Sequence, residues 1–187
     1  MERNNAHITK GSLLIADPIL DEAYFKRGVI LLSNHSDDGT VGFVLNKEIS
    51  NMRITDLVDG FDGFDFPVFL GGPVCKDNLY YVHTAGNLLK GSSPITNKLY
   101  LGGHFDSLKE LIKKGEIKEN EVRFFVGYSG WAPGQLEKEI KSESWFIGNI
   151  KPKYVFEQNT KLWHDVLTDL GNDYQLIANF PEDPSMN

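Results

Sequence analysis

Short apolar runs, rather than helical stripes, dominate the first half of the chain. A strand that is buried on both faces reads as a continuous apolar run, often rich in aliphatic and β-branched side chains. Such runs predict five strands, at residues 13–16, 29–32, 41–45, 68–70 and 79–82. Turn-forming residues fill positions 34–39, between the second and third runs, and they predict a hairpin there.

The second half combines helical patterns with two more strands. Helices are predicted at residues 107–114, 135–141 and 161–170, and strands at 121–127 and 144–147. Asp106 is a residue type that caps a helix start and Gly115 one that follows a helix end, while Asn159 or Thr160 is expected to cap the last helix. Because the strands come in runs and the helices cluster late, we predict an α+β protein.

Length and charge narrow the classes of function. The chain has 187 residues, and we expect a single domain over residues 1–187. Its net charge is −7, whereas a nucleic-acid-binding surface depends on clustered Lys and Arg side chains. Direct nucleic-acid binding is therefore not expected. The partner is instead expected to be a small molecule or a protein, and the sequence predicts no particular oligomeric state.

The cysteine and histidine residues predict neither a disulfide nor a metal centre. Cys75 is the one cysteine, which excludes an internal disulfide and a cysteine-based zinc site. The histidines do not occur at metal-ligand spacings, and neither usual phosphate-binding glycine loop is present. We expect no metal, no cofactor and no change in melting temperature on chelation. Apolar runs are too short for a membrane helix or a signal-peptide core, so a cytoplasmic location without a membrane partner is expected.

Two glycine-rich segments suggest possible chemistry. The segment 127–131 (Gly-Tyr-Ser-Gly-Trp) resembles a nucleophile elbow, but a tryptophan stands where the second glycine is needed, so a plain turn is favoured over a nucleophilic Ser129. Gly71 and Gly72 can expose backbone N–H groups as an anion-binding nest, with Cys75 close behind. A tight turn with an ordinary, dispensable thiol is the favoured interpretation there too.

One helix face also carries polar groups. Gln135 and Glu139 lie four positions apart in the predicted helix 135–141 and therefore share a face. A carboxylate there has the chemistry of a general base, but the sequence identifies no partner group for it. A solvated face, or one that holds a neighbouring loop, is favoured.

Taken in order, several of these segments resemble the AlgH/YqgE family of bacterial proteins. The similarity covers about residues 11–180 and is carried by Gly11–Pro18, Phe25–Leu32, Gly39–Asn46, Leu70–Val74, Gly127–Glu137 and Trp145. The resemblance implies a bulky mixed, mostly antiparallel β-sheet curled into a pseudo-barrel with flanking helices, in one domain. Its core would span about residues 11–180, followed by a mobile tail at 181–187. Some family members carry the label of transcriptional regulator, but the resemblance implies no particular reaction.

A binding or regulatory module with a recognition groove is the leading functional hypothesis. The groove is predicted to combine a charged bidentate donor, amide groups, exposed backbone and a large aromatic side chain. Its predicted lining residues are Arg27, Asn46, Gly71, Gly72, Pro73, Gly127, Gly130, Trp131 and Gln135. A hydrolase or transferase that uses Ser129, Cys75 or Glu139 is the alternative, and a purely structural role for Arg27 and Asn46 is a third.

The groove hypothesis requires that Arg27 and Trp131 lie close together in the folded protein. Both must contribute to one exposed surface, so that replacing either with alanine weakens binding at a folding cost of about 1 kcal/mol or less. Placement on opposite faces of the sheet would contradict the shared groove.

Overall fold

The computed structural model describes residues 7–181 of the chain. The strands within this part are β1 (Ser12–Ala16), β2 (Val29–Ser36), β3 (Gly39–Val44), β4 (Glu48–Arg53), β5 (Pro67–Leu70), β6 (Val74–His83), β7 (Ser93–Pro94), β8 (Tyr100–Leu101), β9 (Val122–Trp131) and β10 (Trp145–Asn149). The helices are α1 (Phe105–Lys113), α2 (Gln135–Lys141), α3 (Pro152–Phe156), α4 (Leu162–Asp169) and α5 (Asn172–Ala178). Most of the predicted tail, from residue 182 onward, lies outside the described residues.

The strands form one sheet in the order β10-β1-β2-β3-β9-β6-β8-β7, with β5 joined to β9 and β4 joined to β5. The β5–β9 pair is parallel, whereas the other described pairs are antiparallel. The predicted class is confirmed: the protein is α+β, with a mixed, mostly antiparallel sheet that curls without closing and is flanked by helices.

Strand β9 is the centre of this sheet because it changes partners along its length. Its first part pairs with β5 and with the end of β6, whereas Ser129 to Trp131 pair with β3. The strands β3 and β5 therefore lie on the same side of β9, where the Val44 N–H donates to the Gly71 carbonyl at 3.0 Å and the Leu70 N–H to the Lys47 carbonyl at 2.7 Å. The candidate site lies beyond the end of β3, around Asn46.

Alternate residues of β1 and β2 pack against different helices, as the two-residue period of a strand requires. Leu13 and Leu31 belong to a core cluster that includes the buried residues of α3 and α4. Leu14 and Ile30 belong to a second cluster, which includes Leu136 of α2. A third cluster lies under α1, around Phe61 and Phe124. The sheet is thus covered on both faces, with α4 and α2 on opposite sides of β1 and β2.

Buried His83 ties the loop after β6 to the sheet. Its Nδ1 accepts the Ala85 backbone N–H at 3.1 Å, so its proton is on Nε2, which donates to the Gly102 carbonyl at 2.8 Å. Ser92 Oγ lies 3.2 Å from the same Nε2. Burial lowers the pKa of His83, and the hydrogen bond to Gly102 opposes that shift in part.

Several predicted boundaries differ from the observed ones. Strand β9 continues through Trp131, so the segment 127–131 is strand rather than the predicted turn. Helix α1 begins at Phe105 with His104 as its N-cap, so the predicted cap at Asp106 is wrong. The edge strands β4 and β7, the two-residue strand β8 and the short helices α3 and α5 were not predicted from the sequence, because none carries a long apolar pattern.

Candidate ligand-binding groove

The end of β3 and the start of β2 are joined by one side chain. Asn46 Nδ2 donates to the Arg27 carbonyl at 2.8 Å, and Asn46 Oδ1 accepts the Val29 N–H at 2.9 Å. Arg27 has a φ of 50°, in the left-handed region that non-glycine residues seldom adopt. Asn46 thus holds the strained backbone at Arg27, two residues before β2 begins.

The guanidinium of Arg27 lies over the ring of Trp163, a buried residue of α4. Its Cζ is 4.4 Å from the centroid of the Trp163 ring, and its Nη2 donates to the Phe180 carbonyl. Trp163 is fixed in turn, because its Nε1 donates to the Ala16 carbonyl at 2.8 Å. Arg27 is half-exposed and lines a cavity of about 390 Å³ together with Asn46, Lys47, Thr160, Lys161, Trp163, His164 and Ala178.

A second arginine lies farther along the same side of the sheet. Arg123 of β9 is only 5% exposed, and its guanidinium lies 4.1 Å from the centroid of the Phe69 ring. Its Nη1 donates to the Leu45 carbonyl and its Nη2 to the Glu157 carbonyl, both at 2.9 Å. Burial lowers the pKa of Arg123 to about 10, and the negative charge of Glu48 opposes this shift.

The cavities around the two arginines adjoin. A cavity of about 350 Å³ is lined by Arg123 and also by Asn46, Thr160 and Lys161, which line the Arg27 cavity as well. A third cavity of about 370 Å³ meets the other side of Arg123. We call this continuous depression, bounded by Arg27, Asn46, Arg123 and the 157–161 loop, the arginine groove. Neither arginine forms an ion pair with a carboxylate among residues 7–181.

Trp131 belongs to a closed cluster at α2. Glu139 Oε2 accepts the indole N–H of Trp131 at 2.9 Å and that of Trp145 at 2.8 Å. Glu139 Oε1 accepts Gln135 Nε2 at 2.9 Å, so both carboxylate oxygens are bonded. The Phe25 ring lies 6.2 Å from Trp131 and 5.7 Å from Trp145, measured between centroids. We call these five residues the tryptophan cluster.

The predicted groove shared by Arg27 and Trp131 is wrong, because the two side chains lie on opposite faces of the sheet. Trp163, which supports Arg27, packs in the cluster of Leu13, whereas Trp131 packs in the cluster of Leu14. Trp131 is also only 5% exposed. The structure therefore brings Arg27 and Asn46 together and places Trp131 and Gln135 elsewhere.

A model of the AlgH-like family matches residues 13–175 of the chain. The chain belongs to this family. A UPF0301 protein from Cytophaga hutchinsonii is 40% identical over 182 residues, which cover 96% of this chain and 100% of that protein. A UPF0301 protein from Chlorobaculum parvum is 38% identical over 188 residues, which cover 100% of this chain and 100% of that protein.

Solved structures of related proteins have the same fold as this AlgH-like chain. A crystal structure of a Corynebacterium diphtheriae protein matches with a TM-score of 0.81 at 26% identity, covering 96% of this chain and 95% of that one. The solution structure of AlgH from Pseudomonas aeruginosa matches with a TM-score of 0.72 at 23% identity, and the match covers 97% of this chain and 98% of that one. The second likeness concerns the fold alone.

In this AlgH-like chain the predicted glycine nest is a backbone packing contact. A Cβ atom on Gly71 would lie 2.3 Å from the Gly127 carbonyl oxygen, and one on Gly72 would lie 2.3 Å from the Tyr128 carbonyl carbon. The Gly71 N–H donates to the Val126 carbonyl at 2.9 Å, so it does not face a ligand. The glycines let the loop before β6 approach β9. Pro73 and Gly130 are exposed but outside the arginine groove.

The three residues of the enzymatic alternative each have another structural setting. Ser129 is fully buried and donates to the Gly71 carbonyl at 3.0 Å. Glu139 is occupied by the tryptophan cluster. Cys75 is exposed, with a left-handed φ of 48°, and contacts Tyr128, whose pKa is raised mainly by burial and further by the Cys75 and Tyr80 charges. None of the three is hydrogen-bonded to a histidine among residues 7–181.

Residues 7–181 contain no group of three or more His, Cys, Asp or Glu side chains arranged to hold a metal ion. Within the same range, each helix is too short or too polar to cross a membrane.

Proposed function

We propose that the protein is a binding module that recognises a small anionic ligand through the arginine groove. The observation that supports this function is the pair of arginines, Arg27 and Arg123, that line one groove without an ion pair to a carboxylate among residues 7–181. Small-molecule sites are concave and carry a few placed polar groups. Among the predicted site residues, Arg27 and Asn46 keep their proposed ligand-binding roles.

The backbone at Arg27 supports a role beyond packing. A non-glycine residue in the left-handed region costs about 1–3 kcal/mol, and such strain persists where the surroundings fix it. Here Asn46 fixes the Arg27 carbonyl and Trp163 fixes the guanidinium. A guanidinium stacked on a ring keeps its in-plane N–H donors available for a planar anion.

Charge around Arg27 favours an anion. Lys47 and Lys161 line the same cavity, and so does His164. Together with Arg27, the two lysines place positive charge at this end of the groove, although the whole chain has a net charge of −7. A local positive field of this kind attracts and orients small anions.

Recovery of a bound anion tests the proposal. The chain would be purified from its cells and denatured, and the released small molecules would be measured by negative-ion mass spectrometry. We expect an anion in stoichiometric amount from the wild type and much less from Arg27→Gln. Lys141→Gln is the matched control, because it removes one positive charge from exposed α2 on the other face. Equal recovery from Arg27→Gln and the wild type would contradict the proposal.

A further inference from the structure

We propose that the anion is an organic carboxylate and that Arg123 is the residue that binds its carboxylate group. This inference rests on the proposed function and names the chemical class of the ligand. Arg123 was not among the residues predicted from the sequence. Its burial, its neutral partners and its place between two cavities carry the argument.

Burial of Arg123 without a paired negative charge is the first step. A buried guanidinium is normally paired, because removing an ion from water is costly. Arg123 is only 5% exposed, yet its hydrogen-bond partners are the neutral carbonyls of Leu45 and Glu157. Glu48 contributes charge from a distance and forms its own ion pair with Arg53 at 3.1 Å. The fold thus maintains a cation whose counter-charge is not supplied by a direct contact among residues 7–181.

The remaining donors of Arg123 are the second step. A guanidinium has five N–H donors, and two of them are bonded to the two carbonyls. Arg123 lines both the cavity of about 350 Å³ and that of about 370 Å³, and the proposal places its unused N–H donors where the two cavities meet. The planar fork matches the two oxygens of a carboxylate, and the charge-assisted pair would supply the missing negative charge.

The acidic residues near Arg123 favour a carboxylate over a phosphate as the bound group. Glu48 and Glu157 line one of the two cavities, and Asp65 and Glu119 line the other. Like charges disfavour a multiply charged phosphate group more than a singly charged carboxylate. The positive end at Arg27 lies in the adjoining cavity, where it can receive a second anionic group of the same ligand.

Calorimetric titration with succinate and with inorganic phosphate, at equal ionic strength, tests the inference. We expect succinate to bind more tightly than phosphate. Arg123→Lys keeps the charge but loses the fork, and we expect it to weaken succinate binding about tenfold or more, as the loss of a charge-assisted hydrogen bond would. Lys141→Gln again serves as the control and should bind succinate like the wild type. Tighter binding of phosphate, or unchanged succinate binding by a folded Arg123→Lys, would overturn the inference.

Nuclear magnetic resonance of the wild type gives a second measurement that needs no folded variant. The Nε–H resonance of Arg123 should shift with succinate and saturate at the calorimetric Kd, and it should not shift with chloride at equal ionic strength. An unmoved Arg123 signal in the presence of bound succinate would overturn the role of Arg123. If Arg27→Gln still loses its anion in that case, the proposed function stands and only this inference fails.

Discussion

The tryptophan cluster and the arginine groove lie on opposite faces of the same strands. They differ in the partners of their charged side chains. In the cluster, both oxygens of Glu139 accept hydrogen bonds from side chains of the cluster itself. In the groove, Arg27 and Arg123 contact aromatic rings and neutral carbonyls, and cavities adjoin them. A charged side chain whose hydrogen bonds are all made to neighbouring side chains of its own cluster indicates a structural role. A charged side chain that has neutral partners and lies beside a cavity indicates a binding role.

The largest effect is expected in the cluster. Trp131→Ala removes a buried ring that packs against Phe25 and Trp145, and it leaves Glu139 with one donor fewer. We expect the free energy of unfolding to fall by about 3–5 kcal/mol, as for other buried aromatic residues. Urea denaturation measures this loss. Trp131→Phe, which keeps a ring but loses the indole donor, should cost less; a loss below about 1 kcal/mol for Trp131→Ala would restore the surface role expected from the sequence.

An intermediate effect on the free energy of unfolding is expected from His83, whose two ring nitrogens are both hydrogen-bonded inside the protein. The pKa of folded His83 lies below its unfolded value of about 6.5. Its contribution to stability is therefore complete above about pH 6.5 and is lost as the pH falls toward the folded pKa, by at most about 1.4 kcal/mol per pH unit for one proton.

Urea denaturation between about pH 7 and about pH 5 measures this loss. That range lies above the unfolded pKa of about 3.9 near which Asp106, Asp165 and Asp169, whose folded pKa values are lowered, begin to lose their contribution to stability. His83→Phe should flatten the pH dependence. A wild-type stability that stays constant over this range would show that His83 binds its proton without cost.

The smallest effect on folding is expected in the groove. Arg27→Ala removes a half-exposed side chain, and we expect the free energy of unfolding to change by about 1 kcal/mol or less. The same variant should lose ligand, which would separate binding from stability. Parallel urea denaturation and anion recovery on Arg27→Ala measure both quantities. A folding loss of roughly 3 kcal/mol would place Arg27 with the structural residues and erase the contrast between the two faces.

The strands that could be predicted are those with continuous apolar runs. Leu13 to Ala16 and Val29 to Leu32 are buried on both faces, and a pattern of this kind is visible without knowledge of the tertiary structure. The end of β9 was missed because Gly127 and Gly130 interrupt its run. Gly127 is required by the close approach of another backbone segment, because a Cβ atom there would lie 2.6 Å from the Gly72 carbonyl oxygen, and only the assembled sheet reveals this contact.

The site could be predicted only in part. Arg27 and Asn46 were predicted together, and a hydrogen bond joins them. Trp131 was assigned to the wrong face, because the face of a strand residue depends on register and on the helix that covers it. Arg123 was overlooked, although an arginine inside the apolar run Val-Arg-Phe-Phe-Val is itself a signal, since charged residues are seldom fully buried without a partner.

The position of β9 has a consequence for the order in which the chain acquires its structure. Strands β3, β5 and β6 all pair with β9, which comes near the end of the sheet-forming sequence. Such distant pairing slows folding, and we expect milliseconds to seconds rather than microseconds. During synthesis, the earlier strands leave the ribosome with open edges, and their shared partner is complete only when Trp131 has emerged. The nascent chain is therefore exposed to aggregation for most of its translation, and this interval is when chaperone protection would matter most.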